Sequence, residues 1–346
     1  MMRDFLAGLP KAEVHLHIEG TIRPETKLRL AARNGVALKF ATLDAMAAAT
    51  RQTSDDPTVA LRDFLTAFYD GLAVLVTEQD FFEVTEEFFQ TCAAENVRHV
   101  DLSFDPQAHT SRGVSIETVL SGLGAAQERA RARHGISSSL VLCINRDRTV
   151  ESAFEALDQA RPHRAKIAGL GLDSNEAGNP PEKFLDVYHR ARSEGYRLTA
   201  HCDVDQEDAL EHIRTCVEDL GVERIDHGIN VVEDANLMAT CAARGIGFTA
   251  CPTWRAEGAP PRRVDRIRVM FDAGLRVSIN SDDPALFPSQ TLGHMLPAVC
   301  EATPFERHEA VMLMENAIRS AFIDETRIGE LVGELHTYAK AFQEKT

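Results

Sequence analysis

Residues 12–17, Ala-Glu-Val-His-Leu-His, carry two histidines one residue apart at the end of an apolar run. Side chains of a β-strand alternate between its two faces, so His15 and His17 would point to the same side of a strand. Two convergent imidazoles are a frequent start of a metal site. Gly20 follows, and a helical pattern opens near Pro24, so the pair is predicted to lie at the carboxyl end of a first strand.

Beyond this stretch, short apolar runs of β type alternate with helical patterns along most of the chain. Eight strands are predicted, at residues 14–17, 100–104, 139–144, 167–172, 198–201, 224–227, 247–251 and 276–280. Eight strands that alternate with helices are typical of an α/β fold, the (β/α)8 or TIM barrel. An open, doubly wound sheet would show a glycine-rich phosphate turn after the first strand, and residues 17–22, HIEGTI, contain none.

Residues 28–95 interrupt this alternation with a long helical stretch between the first and second strands. We expect this insertion to lie over the C-terminal face of the barrel, where it would cap a pocket. Residues 305–343 are predicted as two or three further helices. No linker rich in Pro, Gly or Ser divides the chain, so residues 1–346 are expected to form one domain.

The composition excludes several classes of function. A net charge of −16 argues against binding to a nucleic-acid backbone, which needs clustered Lys and Arg. No run of 18 apolar residues predicts a membrane span, and the first residues lack the apolar core of a signal peptide. The seven cysteines are scattered without CxxC pairs, as expected of reduced thiols in a cytoplasmic protein. A small-molecule substrate is expected, and we allow for a homo-oligomer.

Polar residues also stand at the ends of three later predicted strands. They are His201, His227 and the pair Asp282-Asp283. Because the carboxyl ends of barrel strands meet around one cavity, these side chains are expected to meet the two histidines of the first strand.

A set of three histidines and one aspartate, His15, His17, His201 and Asp282, would suit one zinc ion, with iron as the alternative. A metal with an open position lowers the pKa of bound water, and His227 would then orient that water or act as a general base. Each piece alone has an ordinary explanation, such as a structural histidine or a helix-start aspartate. Their joint position at strand ends favours the metal site.

Seven segments resemble the adenosine/adenine deaminase branch of the amidohydrolases. They are PKAEVHLHIEGTIRP, DLSFDPQAHT, GLGLDSNEAGNPPEKF, LTAHCDVD, RIDHGIN, CPT and VSINSDDPALF, in the family's order. The resemblance implies that His15, His17, His201 and Asp282 bind zinc and that His227 activates the metal-bound water. It also implies that Asp283 hydrogen-bonds the imidazole nitrogen of a purine.

Within the family, the chain looks more similar to the adenine-type enzymes. Glu19 stands where adenosine deaminases carry an Asp that reaches the ribose, although a helix-start carboxylate is an alternative role. Residues 171–176, which include Gly171, Asp173 and Glu176, are expected to hold the base. The resemblance therefore implies a zinc-dependent hydrolytic deaminase of a purine base, adenine rather than adenosine, that releases ammonia.

One position departs from the family in a way that bears on the mechanism. The family reads His-Ala-Gly-Glu after the third ligand strand, and its Glu protonates the ring nitrogen, whereas this chain reads His201-Cys202-Asp203-Val204-Asp205. Val204 transfers no proton.

Three explanations stay open for this departure. A neighbouring carboxylate, Asp203 or Asp205 or else Glu176, takes over the acid role. Alternatively, the substrate is a different aminated heterocycle or an N6-substituted purine. Finally, the protein binds zinc with little turnover, as a sensor.

A second departure follows Cys251-Pro252-Thr253, where Trp254-Arg255 replaces the family's Ser-Asn. Trp254 is expected either to stack on a flat substrate ring or to pack in the core.

Overall fold

Eight β-strands pair in parallel and strictly in chain order. The computed structural model describes residues 2–50, 54–253, 261–287 and 290–344. The strands are β1 Lys11–Glu13, β2 Val97–Phe104, β3 Ser137–Asn145, β4 Gly169–Asp173, β5 Arg197–Cys202, β6 Arg224–His227, β7 Gly247–Ala250 and β8 Arg276–Ile279.

Backbone contacts bring the last strand back to the first. The Asp282 amide donates to the His15 carbonyl at 3.1 Å, and the His17 amide donates to the Asp282 carbonyl at 3.1 Å. The Val14 amide donates to Asn280 Oδ1 at 2.9 Å. These bonds join the two edges of the sheet into a nearly closed barrel, so the predicted (β/α)8 class is confirmed.

The first strand differs from its prediction. Regular pairing of β1 ends at Glu13, and Leu16 and His17 make only single bridges, to Asp282 and Ser103. The ladder stops because the chain turns into a short 3-10 helix, Ile18–Thr21. The two histidine side chains nevertheless converge, with ring centroids 5.6 Å apart.

Helices surround the barrel and cover its ends. Within the described residues the α-helices are α1 Met2–Gly8, α2 Pro24–Asn34, α3 Leu43–Ala49, α4 Pro57–Leu72, α5 Glu78–Ala94, α6 Pro106–Thr110, α7 Ile116–His134, α8 Val150–Ala160, α9 Leu185–Ser193, α10 Ala209–Thr215, α11 Ala235–Arg244, α12 Val264–Asp272, α13 Leu292–Ala302, α14 Arg307–Ser320 and α15 Glu325–Gln343. None of these described helices is both long and apolar enough to cross a membrane.

Helices α2 to α5 form the insertion between β1 and β2. Helix α5 begins with a capping box, in which the Thr77 hydroxyl accepts from the Asp80 amide and Asp80 accepts from the Thr77 amide. It buries Phe81, Phe88 and Phe89 and packs mainly against α7, with further contacts to β2. This packing anchors the insertion, and α4 lies over the mouth of the barrel.

The largest buried hydrophobic cluster extends from Phe5 to Leu335 and includes residues of the barrel and of its helices. A second, small cluster contains Val141, Cys143 and Phe322. After the barrel, residues 305–343 contain α14 and α15, which agrees with the predicted terminal helices.

Candidate metal centre and active site

Histidine and aspartate side chains converge where the strands end. His17 Nε2 lies 3.1 Å from His201 Nε2, and His15 Nε2 lies 3.2 Å from Asp282 Oδ1. His17 Nε2 is 3.6 Å from the same Asp282 oxygen. Two ligand atoms of a tetrahedral zinc ion stand roughly 3.3 Å apart, because each zinc–nitrogen bond measures about 2.0–2.1 Å. These three pairs therefore lie at coordination spacing, and ligand atoms of His17 also lie within 4.8 Å of those of Asp105 and Asp173.

A fifth side chain borders this group. His227 Nε2 lies 3.6 Å from Asp282 Oδ2, whereas His15 and His17 face the other oxygen of the same carboxylate, Oδ1. One potential metal-ligand atom from each of His15, His201, His227 and Asp282 lies within 4.8 Å of the other three.

The far sides of the three imidazoles face polar groups that orient the rings. His15 Nδ1 lies 2.8 Å from the Thr249 hydroxyl, whose own proton goes to Asp226 Oδ1 at 2.9 Å. His15 Nδ1 is therefore the donor, and Nε2 keeps its lone pair for the cluster. His201 Nδ1 is 3.6 Å from Asp226 Oδ2, and His17 Nδ1 is 3.5 Å from Asp173 Oδ2. Carboxylates behind ligand imidazoles are the usual support of a metal site.

These residues fit a metal ion on two observations. His15 Nε2 is buried and has no hydrogen-bond partner among the described residues. Burial and the neighbouring His15 hold the pKa of His201 well below its ordinary value, so His201 is the neutral imidazole that metals bind. Burial alone would lower the pKa of His17, but Asp283 and Asp282 raise it to about 9, so the carboxylates favour a positive charge here.

Asp203 and Asp205 have different surroundings, although only one residue separates them. Asp203 lines the cavity beside the cluster, and its Oδ1 lies 3.6 Å from His227 Nε2. Burial, and then Glu176, raise the pKa of Asp203 well above its ordinary value. Asp205 is 37% exposed and ion-pairs with Arg263 at 2.5 Å. Asp205 therefore faces away from the cluster and does not line the cavity.

Glu176 lies beneath Asp203 and does not line the cavity. Its Oε2 accepts from the Asp203 amide at 2.6 Å and lies 3.4 Å from Arg146 Nη1, while Oε1 accepts from His212. Its carboxylate therefore joins the loop after β5 to Arg146 after β3 and to His212 on α10. The predicted binding residue Glu176 is therefore positioned to support Asp203 rather than to touch a ligand.

Asp283 lines the cavity and keeps one buried oxygen, Oδ1, without a described partner. A Cβ at position 20 would lie 1.8 Å from this oxygen, so Gly20 is required for the carboxylate to sit where it does. Burial, and then Asp282, raise the pKa of Asp283 well above its ordinary value. Asp283 is thus fixed next to the cluster on the wall of the cavity.

Two predicted binding residues lie behind the cavity wall. Glu19 is fully buried, and its Oε1 accepts from the Asp105 amide at 3.1 Å and from His109 Nε2 at 2.8 Å. A Cβ on Gly171 would lie 2.6 Å from Cys143 Sγ, so Gly171 packs inside the barrel. Of the predicted base-binding segment, Asp173 and Ser174 line the cavity.

The position that departs from the family, Val204, lines a neighbouring small cavity on the other side of His227. Its described lining also includes Ile229, Ala250 and Ile267. Trp254 and Arg255, the second departure, lie outside the described residues.

Sequence reasoning missed several residues of the cavity wall. Asp105, Tyr69 and Asn145 were not singled out as site residues, and all three meet through Asp105 Oδ2. Asp226, directly before His227 in the sequence, was also missed. Asp105 directly follows β2 and Asn145 ends β3, so a systematic list of polar residues at strand ends would have found them.

Strained backbone also marks the site. His227 has φ +62° and Asp282 has φ +63°, values that residues other than glycine rarely adopt. Ser174, on the cavity wall, has φ +74°. Such strain persists only where surrounding structure enforces it, and it clusters at functional sites.

Comparison with known proteins agrees with this geometry. The adenosine deaminase family model matches residues 10–338. An adenine deaminase of Rhodospirillum rubrum is 41% identical over 338 residues, which cover 96% of this chain and 97% of that protein. The structure of an adenine deaminase from Arthrobacter aurescens has a TM-score of 0.88 at 37% identity, covering 96% of this chain and 99% of its own. An amidohydrolase from Burkholderia ambifaria, solved with bound Zn, has a TM-score of 0.85 at 28% identity, covering 99% of this chain and 94% of its own. The chain belongs to the adenosine deaminase family.

Proposed function

We propose that this protein is a zinc-dependent hydrolase that deaminates adenine, or a closely related aminopurine base, and releases ammonia. The observation that carries the proposal is the convergence of a ligand-type His/Asp cluster with His227, Asp203 and Asp283 on one cavity. Similarity to adenine deaminases over nearly the whole chain supports a base as the substrate rather than a nucleoside.

The proposed ligands of one zinc ion are His15, His17, His201 and Asp282. Distances of 3.1 to 3.6 Å for the pairs His17–His201, His15–Asp282 and His17–Asp282 support this choice. His227 also lies 3.6 Å from Asp282, and we assign it to the attacking water instead. The ion would supply Lewis-acid activation of a water molecule.

The remaining residues divide the proton transfers. His227 accepts the proton of the attacking water, since its Nε2 lies at the rim of the cluster. Asp203 gives a proton to the ring nitrogen while the carbon–oxygen bond forms, and Asp283 holds the imidazole side of the purine. His227 then returns its proton to the amino group, which leaves as ammonia when the carbon–nitrogen bond breaks. The hydroxyl proton passes to the Asp203 carboxylate, so that an oxo group stands on the carbon and Asp203 is again protonated.

Asp203 takes the role of the acid that Val204 lacks in this proposal. The supporting geometry is its burial, its place on the cavity wall and its distance of 3.6 Å from His227. We do not propose Asp205 as the acid, because its carboxylate is engaged by Arg263 and Arg266.

One observation favours a second candidate substrate, an N6-substituted purine. The small cavity beside His227 is lined in part by the apolar side chains of Val204, Ile229 and Ala250, and also by Arg262 and Arg263. An alkyl group on the leaving nitrogen would be compatible with such a lining.

The test is ammonia or amine release from adenine, adenosine and N6-methyladenine by zinc-loaded protein. We expect adenine to be the best substrate, with activity lost on chelation and restored by zinc. His227→Ala should lower kcat at least about 10³-fold while metal analysis still finds one zinc per chain. A His227→Ala variant that keeps its activity would contradict the mechanism. Faster reaction of N6-methyladenine would favour the second candidate.

We further propose a cytoplasmic location, supported by seven free cysteine thiols of which six are buried. Association into a homo-oligomer stays a prediction. So does the assignment of residues 1–346 to one domain, which the extent of the largest hydrophobic cluster supports.

A further inference from the structure

Two further carboxyl groups, those of Asp105 and Asp173, lie close together on the wall of the cavity. Asn145 Nδ2 bridges them, since it donates to Asp105 Oδ2 at 2.9 Å and to Asp173 Oδ1 at 3.2 Å. The Tyr69 hydroxyl donates to Asp105 Oδ2 at 3.3 Å. Asp105 and Asp173 both line the same cavity as the His/Asp cluster, and Asp173 Oδ2 lies 3.5 Å from His17 Nδ1.

The Asp105 carboxyl is held from behind, so its direction is fixed. Its backbone amide donates to Glu19 Oε1 at 3.1 Å, and the same oxygen accepts from His109 Nε2 at 2.8 Å. Arg112 in turn contacts His109 Nδ1 at 2.8 Å. Glu19 therefore acts on the cavity through Asp105.

One side of this carboxyl pair lacks a partner. Asp105 is 1% exposed, and its Oδ1 has no hydrogen-bond donor among the described residues. A buried acceptor left unsatisfied costs about 1–3 kcal/mol, so the wall is set to receive a donor. The described hydrogen bonds and ion pairs of the two carboxyl groups include no Lys or Arg. An N–H group of a neutral ligand suits this wall, whereas a phosphate or carboxylate is repelled.

We propose that the Asp105–Asp173 pair binds the ring N–H of an unsubstituted base and thereby selects free bases over N9-substituted ones. This inference rests on the proposed function. A free purine carries an N–H on its five-membered ring, and a sugar or methyl group at that nitrogen removes it. The substituted base would leave Asp105 Oδ1 unpaired and would press a carbon against it. Sites built to hydrogen-bond a substrate N–H reject analogues that lack it by large factors.

The test compares adenine with 9-methyladenine, which differs by one methyl group at the ring nitrogen. For the zinc-loaded wild type we expect kcat/KM for adenine to exceed that for 9-methyladenine at least about 100-fold. Asp105→Asn should lower kcat/KM for adenine about 10- to 100-fold and change that for 9-methyladenine less than about 3-fold. The discrimination between the two substrates should therefore shrink, with zinc content unchanged.

A matched control and an independent measurement accompany this comparison. Asp63→Asn removes one exposed carboxylate of α4 and should leave both substrates unaffected. Competition by hypoxanthine and 9-methylhypoxanthine measures binding without turnover, and only the first should compete well. If Asp105→Asn does not fold, Tyr69→Phe takes its place, because it removes only the hydroxyl that donates to Asp105. It should lower kcat/KM for adenine more than kcat/KM for 9-methyladenine.

The outcomes separate the two proposals. Similar kcat/KM for adenine and 9-methyladenine in the wild type would overturn this inference and leave the deaminase proposal standing. An equal loss on both substrates in Asp105→Asn or Tyr69→Phe would also overturn it. Absence of ammonia from every purine would overturn the proposed function and this inference with it.

Discussion

At the scale of single residues, the loop after β5 gives neighbouring carboxylates opposite roles. The Asp203 amide is held by Glu176, which keeps the side chain against the cavity. Asp205 has φ +57° and turns toward Arg263 and Arg266 on the outside of the loop. Only one of the two is therefore available to a ligand.

This difference leads to a prediction for a matched pair of variants. Asp203→Asn should lower kcat for adenine about 10²- to 10⁴-fold, because the amide does not donate the catalytic proton. Asp205→Asn should change kcat less than about 3-fold, since it alters a partly exposed ion pair. Steady-state ammonia release from both variants checks this, with zinc content as the control. Comparable losses in the two variants would contradict the assignment of Asp203 as the acid.

At the scale of elements, the insertion supplies one wall of the cavity. Helix α4 turns Leu61, Phe64 and Phe68 toward the mouth of the barrel, and Phe64 stacks on Phe287 at 5.5 Å between ring centroids. These residues follow the helical spacing that buries one face. Helix α2 is tied to α5 by ion pairs of Arg29 and Arg33.

These ion pairs predict a pH-dependent stability. Burial would raise the pKa of Glu83, but hydrogen bonds from Arg33 and Arg29 outweigh it and lower the pKa to about 2. Because this pKa is lower in the folded state than its value near 4.5 in the unfolded state, the ionised carboxylate stabilises the fold at pH values above about 4.5. This contribution to the free energy of unfolding is lost as the pH falls from about 4.5 toward 2.

Glu83→Gln should therefore lower the free energy of unfolding by about 1 kcal/mol at pH 7, after allowance for solvent screening. The difference from wild type should shrink as the pH drops below about 4.5. Urea denaturation across this pH range measures it, with Glu128→Gln on the exposed face of α7 as a control that should have no such trend. A pH-independent difference would contradict the role of these ion pairs.

At the scale of the whole molecule, an ion pair inside the barrel joins distant strands. Arg224 of β6 donates to Asp101 Oδ2 of β2 at 2.7 Å, and both are fully buried. Asp101 also accepts from His99 Nε2 at 2.9 Å and from the Phe322 amide at 3.0 Å. Arg224 Nε lies 3.3 Å from Asp226, so the same arginine also supports the carboxylate behind His15 and His201.

Removal of this buried carboxylate should destabilise the entire barrel. Asp101→Asn leaves Arg224 buried with one fewer anionic partner, and breaking such a pair costs about 3–5 kcal/mol. Urea denaturation measures this change in the free energy of unfolding. As a control, Asp63→Asn alters an exposed ion pair, and its free energy of unfolding should stay within about 0.5 kcal/mol of the wild type. A loss below about 1 kcal/mol for Asp101→Asn would contradict this account.

The spacing of strands and the polar residues at their ends made much of this protein predictable. A parallel barrel brings the carboxyl ends of all its strands to one face. The positions of His15, His17, His201, His227 and Asp282 in the sequence were therefore enough to predict that they meet. The apolar spacing of α4 likewise predicted a helix.

The tertiary structure decided what local sequence does not encode. Whether Asp203 or Asp205 faces the cavity depends on Glu176 and Arg263, which lie 27 and 58 residues away along the chain. Glu19 stands where adenosine deaminases carry a ribose-binding Asp and was a candidate for substrate binding, but its carboxylate contacts the Asp105 amide and His109 and so supports the cavity wall. The direction in which a loop side chain points depends on partners that are distant in sequence and that only folding brings near. By contrast, the meeting of the strand ends on one face of the barrel follows from the order of the strands alone.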